Sequence, residues 1–380
     1  MTAGYEKDNT RRALVAMSGG VDSSVSAALM QAAGYDCIGV TMKLYANERI
    51  LPEQALSEPG KTCCTADDAL DARSVCLKMG MQHYTFDLSE DFARDVIGDF
   101  IDNYERGRTP NPCIECNRSL KFAKLWERAK ELDADVIATG HYARIERDAQ
   151  TGRWLLKRAA DAAKDQTYVL YMLTQEQLAH TVFPLGGMTK EEVRAFAAER
   201  GFVNSEKRES QDICFVPDGD YAAFMERYTG KEYPPGDFID TEGRVLGRHR
   251  GAVRYTLGQR KGLGLAMGEP VYVCAKDMAA NTVTVGPEER LFTRELLADR
   301  VNWIGREAPV PGETLRLEAC TRYHQKVRPA EASLTEDGLL KVMFDEPQRA
   351  VTPGQAVVLY DGDLVIGGGT ILRAREAPGE

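Results

Sequence analysis

Leu14-Val15-Ala16-Met17-Ser18-Gly19-Gly20-Val21-Asp22-Ser23-Ser24 is the stretch from which the fold is read. Its four leading apolar residues show no polar alternation, the pattern of a strand buried on both faces. Two glycines turn the chain, and Val21 to Ala33 reads as a helix closed by Gly34. Glycines at such a turn let the backbone approach a phosphate. The helix that follows presents unpaired N–H groups and the positive end of its dipole. Ser18, Ser23 and Ser24 add hydroxyl donors, and Asp22 suits a residue that orients the loop or holds Mg²⁺. No Gly-Lys-Ser/Thr follows and no G-x-G-x-x-G is present, so the loop is neither a Walker A loop nor a dinucleotide fingerprint. A bare Gly-Gly would be an ordinary capped turn; the complete Ser-Gly-Gly-x-Asp-Ser after a buried strand favours phosphate binding.

Outward from this loop, apolar runs alternate with amphipathic ones. Cys37 to Met42 reads as a strand, Ala66 to Met79 as a helix ended by Gly80, and Tyr84-Thr85-Phe86 as a short strand. Ser119 to Leu132 reads as a helix leading into the buried strand Asp135 to Thr139. Strands alternating with helices predict an α/β domain, a parallel sheet covered on both faces. Ala46 to Lys61 lacks periodicity and reads as a long loop. After about residue 205 Gly and Pro become frequent. Short β-like runs follow at 271–273, 282–285, 314–317, 340–344 and 356–360. Such spacing predicts a small mixed β-rich central domain and then a β-barrel. The expected bounds are 11–205, 206–286 and 287–380.

At 380 residues the chain has room for two or three cores. The first residues contain no apolar run of the signal-peptide kind, and no stretch reaches the roughly 18 apolar residues of a spanning helix. The expectation is a cytoplasmic protein without a membrane partner. The net charge of −10 speaks against a chain coated in positive charge. Local basic faces remain compatible with nucleic acid. From Gly243 to Gly268 there is no acid, yet the run carries Arg244, Arg248, His249, Arg250, Arg254, Arg260 and Lys261, with Tyr255 interleaved. Arg322, Tyr323, His324, Lys326 and Arg328 form a second basic-aromatic group. The plain reading of such runs is a solvated surface. Inside an acidic chain, RNA contact is favoured, through phosphates and a stacked base.

Nine cysteines are too few for a disulfide scaffold of this size, and the number is odd. Cys113-Ile114-Glu115-Cys116 stands between Pro-rich turns and a helix start, where a thiol gains nucleophilicity. A single Cys-x-x-Cys is compatible with a redox pair, half a zinc site or structural thiols. The absence of a second one speaks against a four-Cys zinc site. Cys214 lies in Ile213-Cys214-Phe215, polar before and apolar after, which by itself describes a buried strand thiol. Adjacent Cys63 and Cys64 are read as incidental or as a second thiol site. Cys37, Cys76, Cys274 and Cys320 sit in apolar patterns and are read as structural.

The loop resembles that of the ATP-pyrophosphatase group, adenine nucleotide alpha hydrolase-like proteins that cleave ATP to AMP and pyrophosphate. The ordered set of motifs resembles the bacterial-type tRNA-specific 2-thiouridylases. It comprises Met17 to Ser24, Gly107 to Pro112 with Cys116-Asn117 and Lys121-Phe122, Ala138 to Tyr142, Lys164-Asp165-Gln166, Ile213 to Phe215, Tyr255 to Gly264 and Thr352 to Gln355. The likeness runs from about Arg11 to Ile371. It implies ATP-dependent 2-thiolation of the wobble uridine. Ala16, Met17, Ser18, Gly19, Gly20, Val21, Asp22, Ser23, Met42 and Gly140 would line the site of ATP, taken with Mg²⁺. It implies that Cys214 carries sulfur as a persulfide, and that Cys116 frees that sulfur and ends in a Cys116–Cys214 disulfide. Asn111, Pro112 and Cys113 would meet the target base. His141, Lys164, Asp165, Gln166, Arg322, Tyr323 and Gln355 would contact tRNA. A sulfur-donor protein, a cysteine desulfurase or relay carrier, is the implied second partner. Cys113 stands where many members carry Asp, which leaves the general base open.

Adenylation makes uridine O2 a good leaving group, and a persulfide is a better nucleophile than a thiol at neutral pH. A second thiolate must then break the S–S bond, so two distant cysteines have to meet. Three other readings remain. Cys113, Cys116 and Cys214 could bind three irons of a [4Fe-4S] cluster whose fourth iron holds sulfide. The chain could be a non-catalytic tRNA-binding protein with a relict loop. It could also be an amide-forming synthetase, which would leave the thiols and the basic β-region without a role.

Overall fold

Arg12–Ala16 forms the middle strand, β1, of a five-stranded sheet in which every pairing is parallel. The computed structural model describes residues 11–45, 50, 66–204, 213–310 and 312–375. The expected long loop at 46–61, apart from Ile50, and the Cys63-Cys64 pair lie outside the described residues. After β1 come α1 (Val21–Ala32), β2 (Asp36–Lys43), α2 (Ala66–Lys78), β3 (Gln82–Asp87), α3 (Ser89–Phe92) and α4 (Gly98–Glu105). Then follow α5 (Pro112–Cys116), α6 (Leu125–Glu131), β4 (Val136–Ala138), β5 (Arg144–Arg147), β6 (Trp154–Lys157), α7 (Gln175–Ala179), β7 (Thr181–Val182) and α8 (Lys190–Glu199). π-helical segments at Ala93–Ile97 and Asn117–Lys124 join α3 to α4 and α5 to α6.

The unbroken apolar run at the start of the chain has the expected cause. Leu14 packs with Val40, Phe122 and Leu125 on one face of the sheet. Ala13 and Val15 pack with Val25, Ala28 and Val193 on the other. Strand order is β3-β2-β1-β4-β7. The chain steps outward from β1 to β3 and then returns to β4 on the other side of β1. Such a reversal opens a crevice at the carboxyl ends of the two central strands. The Ser18 loop and Thr139-Gly140-His141 leave the sheet at that point.

Beyond this sheet, α9 (Tyr221–Thr229) leads to β8 (Gly236–Ile239), β9 (Val245–His249), β10 (Tyr272–Asp277) and β11 (Thr282–Gly286), paired in the order β10-β11-β8-β9. The last unit consists of β12 (Phe292–Trp303), β13 (Thr314–Cys320), β14 (Arg328–Leu334), β15 (Leu340–Arg349), β16 (Ala356–Asp361) and β17 (Leu364–Arg375). These six pair in the order β12-β15-β14-β13-β16-β17, and β17 pairs back with β12, which closes a barrel. Every β-like run read from the sequence is a strand. One connection departs from the linear reading. The β5–β6 hairpin falls inside the first 205 residues, yet it extends the barrel's sheet through Leu364 opposite Lys157.

Candidate active site

The phosphate loop is held by its own hydroxyls. Ser23 Oγ donates to the Gly20 carbonyl at 2.9 Å and accepts from the Ser18 N–H at 3.2 Å. Ser24 Oγ donates to the same Gly20 carbonyl at 3.1 Å. Gly20 occupies the N-cap of α1 without a side-chain cap, so the first N–H groups of α1 are left to a ligand. Gly19 has φ +73°, and a Cβ there would stand 2.4 Å from the Asp68 carbonyl oxygen. A Cβ on Gly140 would stand 3.0 Å from the Ser23 nitrogen, so glycine lets the end of β4 abut the loop.

Three residues that the sequence reading gave no role complete the loop. Lys190 Nζ donates to both oxygens of Asp22, at 2.7 and 2.8 Å, and the Tyr142 hydroxyl donates to one of them at 2.8 Å. Asn204, almost fully buried, donates from Nδ2 to the Gly19 carbonyl and to Ser24 Oγ, at 3.0 and 2.9 Å. Tyr142 belongs to a quoted motif and was within reach of the sequence. Lys190, the first residue of a capped helix, reads locally as a solvated lysine. Of the two roles expected for Asp22, orienting the loop is the one its bonds describe.

A cavity of about 340 Å³ opens beside the loop. Ala16, Met17, Ser18, Asp22, Ser23, Met42 and Gly140 line it, and so do Cys113, Cys116 and Cys214. Cys113 is exposed, Cys214 half-buried and Cys116 buried. Cys116 reaches the cavity because Asn111, the N-cap of α5, accepts the Cys113 N–H at 3.1 Å and starts a helix that turns Cys116 inward. Cys214 is held by its neighbours. The Tyr45 hydroxyl donates to the Cys214 carbonyl at 2.8 Å, and the buried Phe215 ring packs edge-on against Phe92 and Phe100. Cys37, Cys76 and Cys320 are remote from this cavity. Burial pushes the Cys37 and Cys320 thiols up to about 12 and the Cys76 thiol up to about 11. Thiols held protonated in this way are poor nucleophiles at neutral pH.

The residues implied for tRNA contact divide into groups. Pro112, Cys113, His141 and Gln166 line the cavity. His141 is largely buried against the Phe122 and Phe183 rings, and its Nδ1 is 2.7 Å from Thr139 Oγ1. Burial, and next the charge of Lys121, lowers its pKa well below 6.5, so the ring is neutral at pH 7. Gln355 lies where the barrel touches the catalytic loop, two residues before Asn111: Gln355 Nε2 donates to the Thr109 carbonyl and the Thr109 N–H to the Pro353 carbonyl, each at 2.8 Å. Lys164, Asp165, Arg322 and Tyr323 lie away from the cavity wall. Asp165 accepts from the Ala159 N–H and the Thr167 hydroxyl, and Arg322 donates to Ala350 and Thr352.

Two expectations are corrected. The run from Gly243 to Gly268 is not the basic-aromatic surface it suggests. Tyr255 is buried against Phe238 and His249 as core of the central domain. Arg244 pairs with Asp240 and Glu242, Arg248 with Asp237, and Arg254 with Glu226 and Asp220, all acids outside the run. The cluster reading meets a geometric obstacle as well. The three thiols line one cavity, but among the described residues no three His, Cys, Asp or Glu side chains converge as metal ligands. The residues in this arrangement do not fit a [4Fe-4S] cluster.

Comparison with known proteins gives this architecture its class. Three family models match in series. They are the tRNA methyl transferase HUP domain over residues 11–218, the tRNA methyl transferase PRC-barrel domain over 222–287 and the aminomethyltransferase beta-barrel domain over 293–371. The parallel sheet with its phosphate loop is thus a HUP domain, carried with a PRC-barrel and a closed six-stranded barrel. Relatives are more specific. The chain is 49% identical over 367 residues to the tRNA-specific 2-thiouridylase MnmA of Symbiobacterium thermophilum, covering 96% of this chain and 93% of that one. It is 49% identical over 369 residues to the protein of that name from Geotalea uraniireducens, covering 97% of each. With that of Clostridioides difficile the identity is 45% over 364 residues, 96% of this chain and 99% of the relative. The chain belongs to the tRNA-specific 2-thiouridylase family.

Proposed function

We propose that the protein is an ATP-dependent tRNA-uridine 2-sulfurtransferase acting on the wobble uridine at position 34. The observation that carries the reading is the single cavity lined by the phosphate loop, Cys116 and Cys214. Uridine O2 attacks the α-phosphorus of ATP, and pyrophosphate leaves beside the N-terminus of α1. C2 now bears AMP as leaving group. The terminal sulfur of a persulfide on Cys214 attacks C2, and AMP departs. Cys116 thiolate then attacks the Cys214 sulfur, which releases 2-thiouridine and leaves a Cys116–Cys214 disulfide. A thiol reductant returns the two electrons and reopens the pair. Cys113 takes no part in this balance. The persulfide sulfur comes from a sulfur-donor protein. Magnesium accompanies ATP, and we assign it no protein ligand, because both Asp22 oxygens are engaged by Lys190. The neutral His141 ring and the Gln166 amide offer hydrogen bonds to the inserted base. We place the reaction in the cytoplasm, where its substrates are; no helix among the described residues is long and apolar enough to cross a membrane.

The test is thiolation by the purified protein with ATP, a uridine-34 tRNA, a cysteine desulfurase with cysteine, and a thiol reductant. Nucleoside mass spectrometry should find 2-thiouridine, with AMP formed in step. Protein that binds tRNA without forming AMP would be a binding protein only. Iron is measured in the same sample, and full activity in iron-free protein excludes the cluster route.

A further inference from the structure

Helix α5 carries Cys113 and Cys116 on the first five residues of a helical run that continues through Asn117–Lys124 into α6. Its one carboxylate, Glu115, is gripped from three sides. Ser119 Oγ donates to it at 2.6 Å, Arg118 at 3.2 Å and Arg300 at 2.7 Å. Ser119 and Arg118 belong to the same helical run. Arg300 comes from β12 of the barrel, and the Glu115 side chain it reaches is 13% exposed. The backbone at Arg300 is bent to make this reach. Its φ is +49°, and the β12–β17 register breaks between Asp299 and Asn302. A bulge re-aims a side chain, and a left-handed non-glycine residue persists only where its surroundings enforce it.

We propose that Arg300 is a positioning residue for the thiolation reaction: through Glu115 it fixes helix α5 so that Cys116 faces the cavity. The inference rests on the reading of Cys116 as the thiolate that ends sulfur transfer. Arg118 and Ser119 already satisfy Glu115 within its own helix, so the bond from Arg300 adds fixation relative to the barrel. Gln355 and Pro353 hold the start of the same loop at Thr109. The barrel therefore grips the catalytic segment at both ends.

The test compares Arg300→Gln and Arg300→Lys in the full chain, with Arg316→Gln, whose partner Asp345 lies on the outer barrel, as control. Arg300→Gln should lower kcat about tenfold, since small misplacements of reacting groups are costly, with KM for tRNA within about twofold. It should also change the alkylation rate of Cys116 relative to Cys113, read peptide by peptide. Arg300→Lys should recover part of kcat, because it keeps the charge and loses the fork. Unchanged kcat with unchanged Cys116 alkylation overturns the proposal, and so does a rise in KM alone, which would make Arg300 a tRNA contact. Altered Cys116 alkylation with wild-type kcat supports the positioning and removes the role given to Cys116. Melting curves matching wild type show that Arg300→Gln is folded; were it not, Arg300→Lys carries the same readouts.

Discussion

Lys190 Nζ lies 2.7 and 2.8 Å from the two carboxylate oxygens of Asp22, joining the first residue of α8 to the phosphate loop. The Lys190 side chain is 10% exposed and that of Asp22 30%, so the pair is partly desolvated. Removing the lysine leaves Asp22 without its cationic partner, with the Tyr142 hydroxyl still donating to it, where phosphates must bind. A hydrogen bond between charged groups is worth about 1.5–3 kcal/mol. Lys190→Met should therefore weaken ATP about 10- to 100-fold and slow AMP formation, with tRNA affinity unchanged. Calorimetric titration with ATP and filter binding of tRNA check the two halves.

The thiols should separate by reactivity. At pH 8.5 a brief alkylation of the native protein should label Cys113 and Cys214, which are accessible. Cys37, Cys76 and Cys320, held at about 12, 11 and 12 by burial, should label only on unfolding. Cys116→Ser and Cys214→Ser should each abolish thiolation with tRNA affinity nearly intact, and Cys214→Ser should still release pyrophosphate as uridine is adenylated, without releasing AMP. The buried thiols also set an alkaline limit. Between about pH 8.5 and 11 the unfolded chain has lost these protons and the native one has kept them. The unfolded state then binds fewer protons, so stability falls as pH rises through that window. Cys37→Ala should flatten the fall, as urea midpoints from pH 8 to 10.5 would show.

Much of this site can be read from residues that are neighbours in sequence. The strand, the loop and α1 follow from an apolar run, two glycines and a helical period. Each expected strand of the sheet lies within about two residues of its place, whereas the helix expected from Ser119 belongs to a run that begins at Pro112. What the sequence hides is non-local. Lys190 and Asn204 meet the loop from more than 160 residues away. The β5–β6 hairpin joins the barrel by one edge pairing that leaves no pattern in either segment. Tyr255 shows why composition misleads. Interleaving with arginines looks the same whether a ring faces solvent or core, and only its packing on Phe238 decides. The acids that neutralise Arg244, Arg248 and Arg254 all stand outside the run that seems unopposed.

Acid should destabilise the protein through its buried imidazoles. Desolvation, with the charge of Lys121 second, lowers the His141 pKa well below 6.5. Burial lowers those of His83 and His249 in the same sense. Below about pH 6.5 the unfolded chain takes up protons that the native imidazoles refuse. The unfolded state binds more protons there, so stability falls as pH falls from 6.5. One such histidine contributes a slope of up to about 1.4 kcal/mol per pH unit. His141→Gln should reduce the loss between pH 6.5 and 5.5, measured as urea midpoints. An unchanged slope would mean that His141 titrates normally and that its pocket is wet.

The basic run yields a prediction that separates core from RNA contact. Tyr255 is almost wholly buried, and its ring meets Phe238 and His249 at centroid distances of 5.1 and 5.6 Å. Tyr255→Ala should destabilise the central domain by about 3–5 kcal/mol, the range for a buried aromatic truncated to alanine. At temperatures where that domain stays folded, tRNA affinity should be unchanged. Arg260 and Lys261 are exposed, and no ion pair is found for either among the described residues. If this face tracks phosphates, Lys261→Gln should weaken every tRNA alike. It should also lower the slope of log affinity against log salt by about 1, the counterion released per phosphate contact. Salt titrations of wild type, Tyr255→Ala and Lys261→Gln decide the matter in one series. A slope reduced in the lysine variant alone places RNA on the exposed end of the run. A slope unchanged in both restricts RNA to the cavity and the barrel.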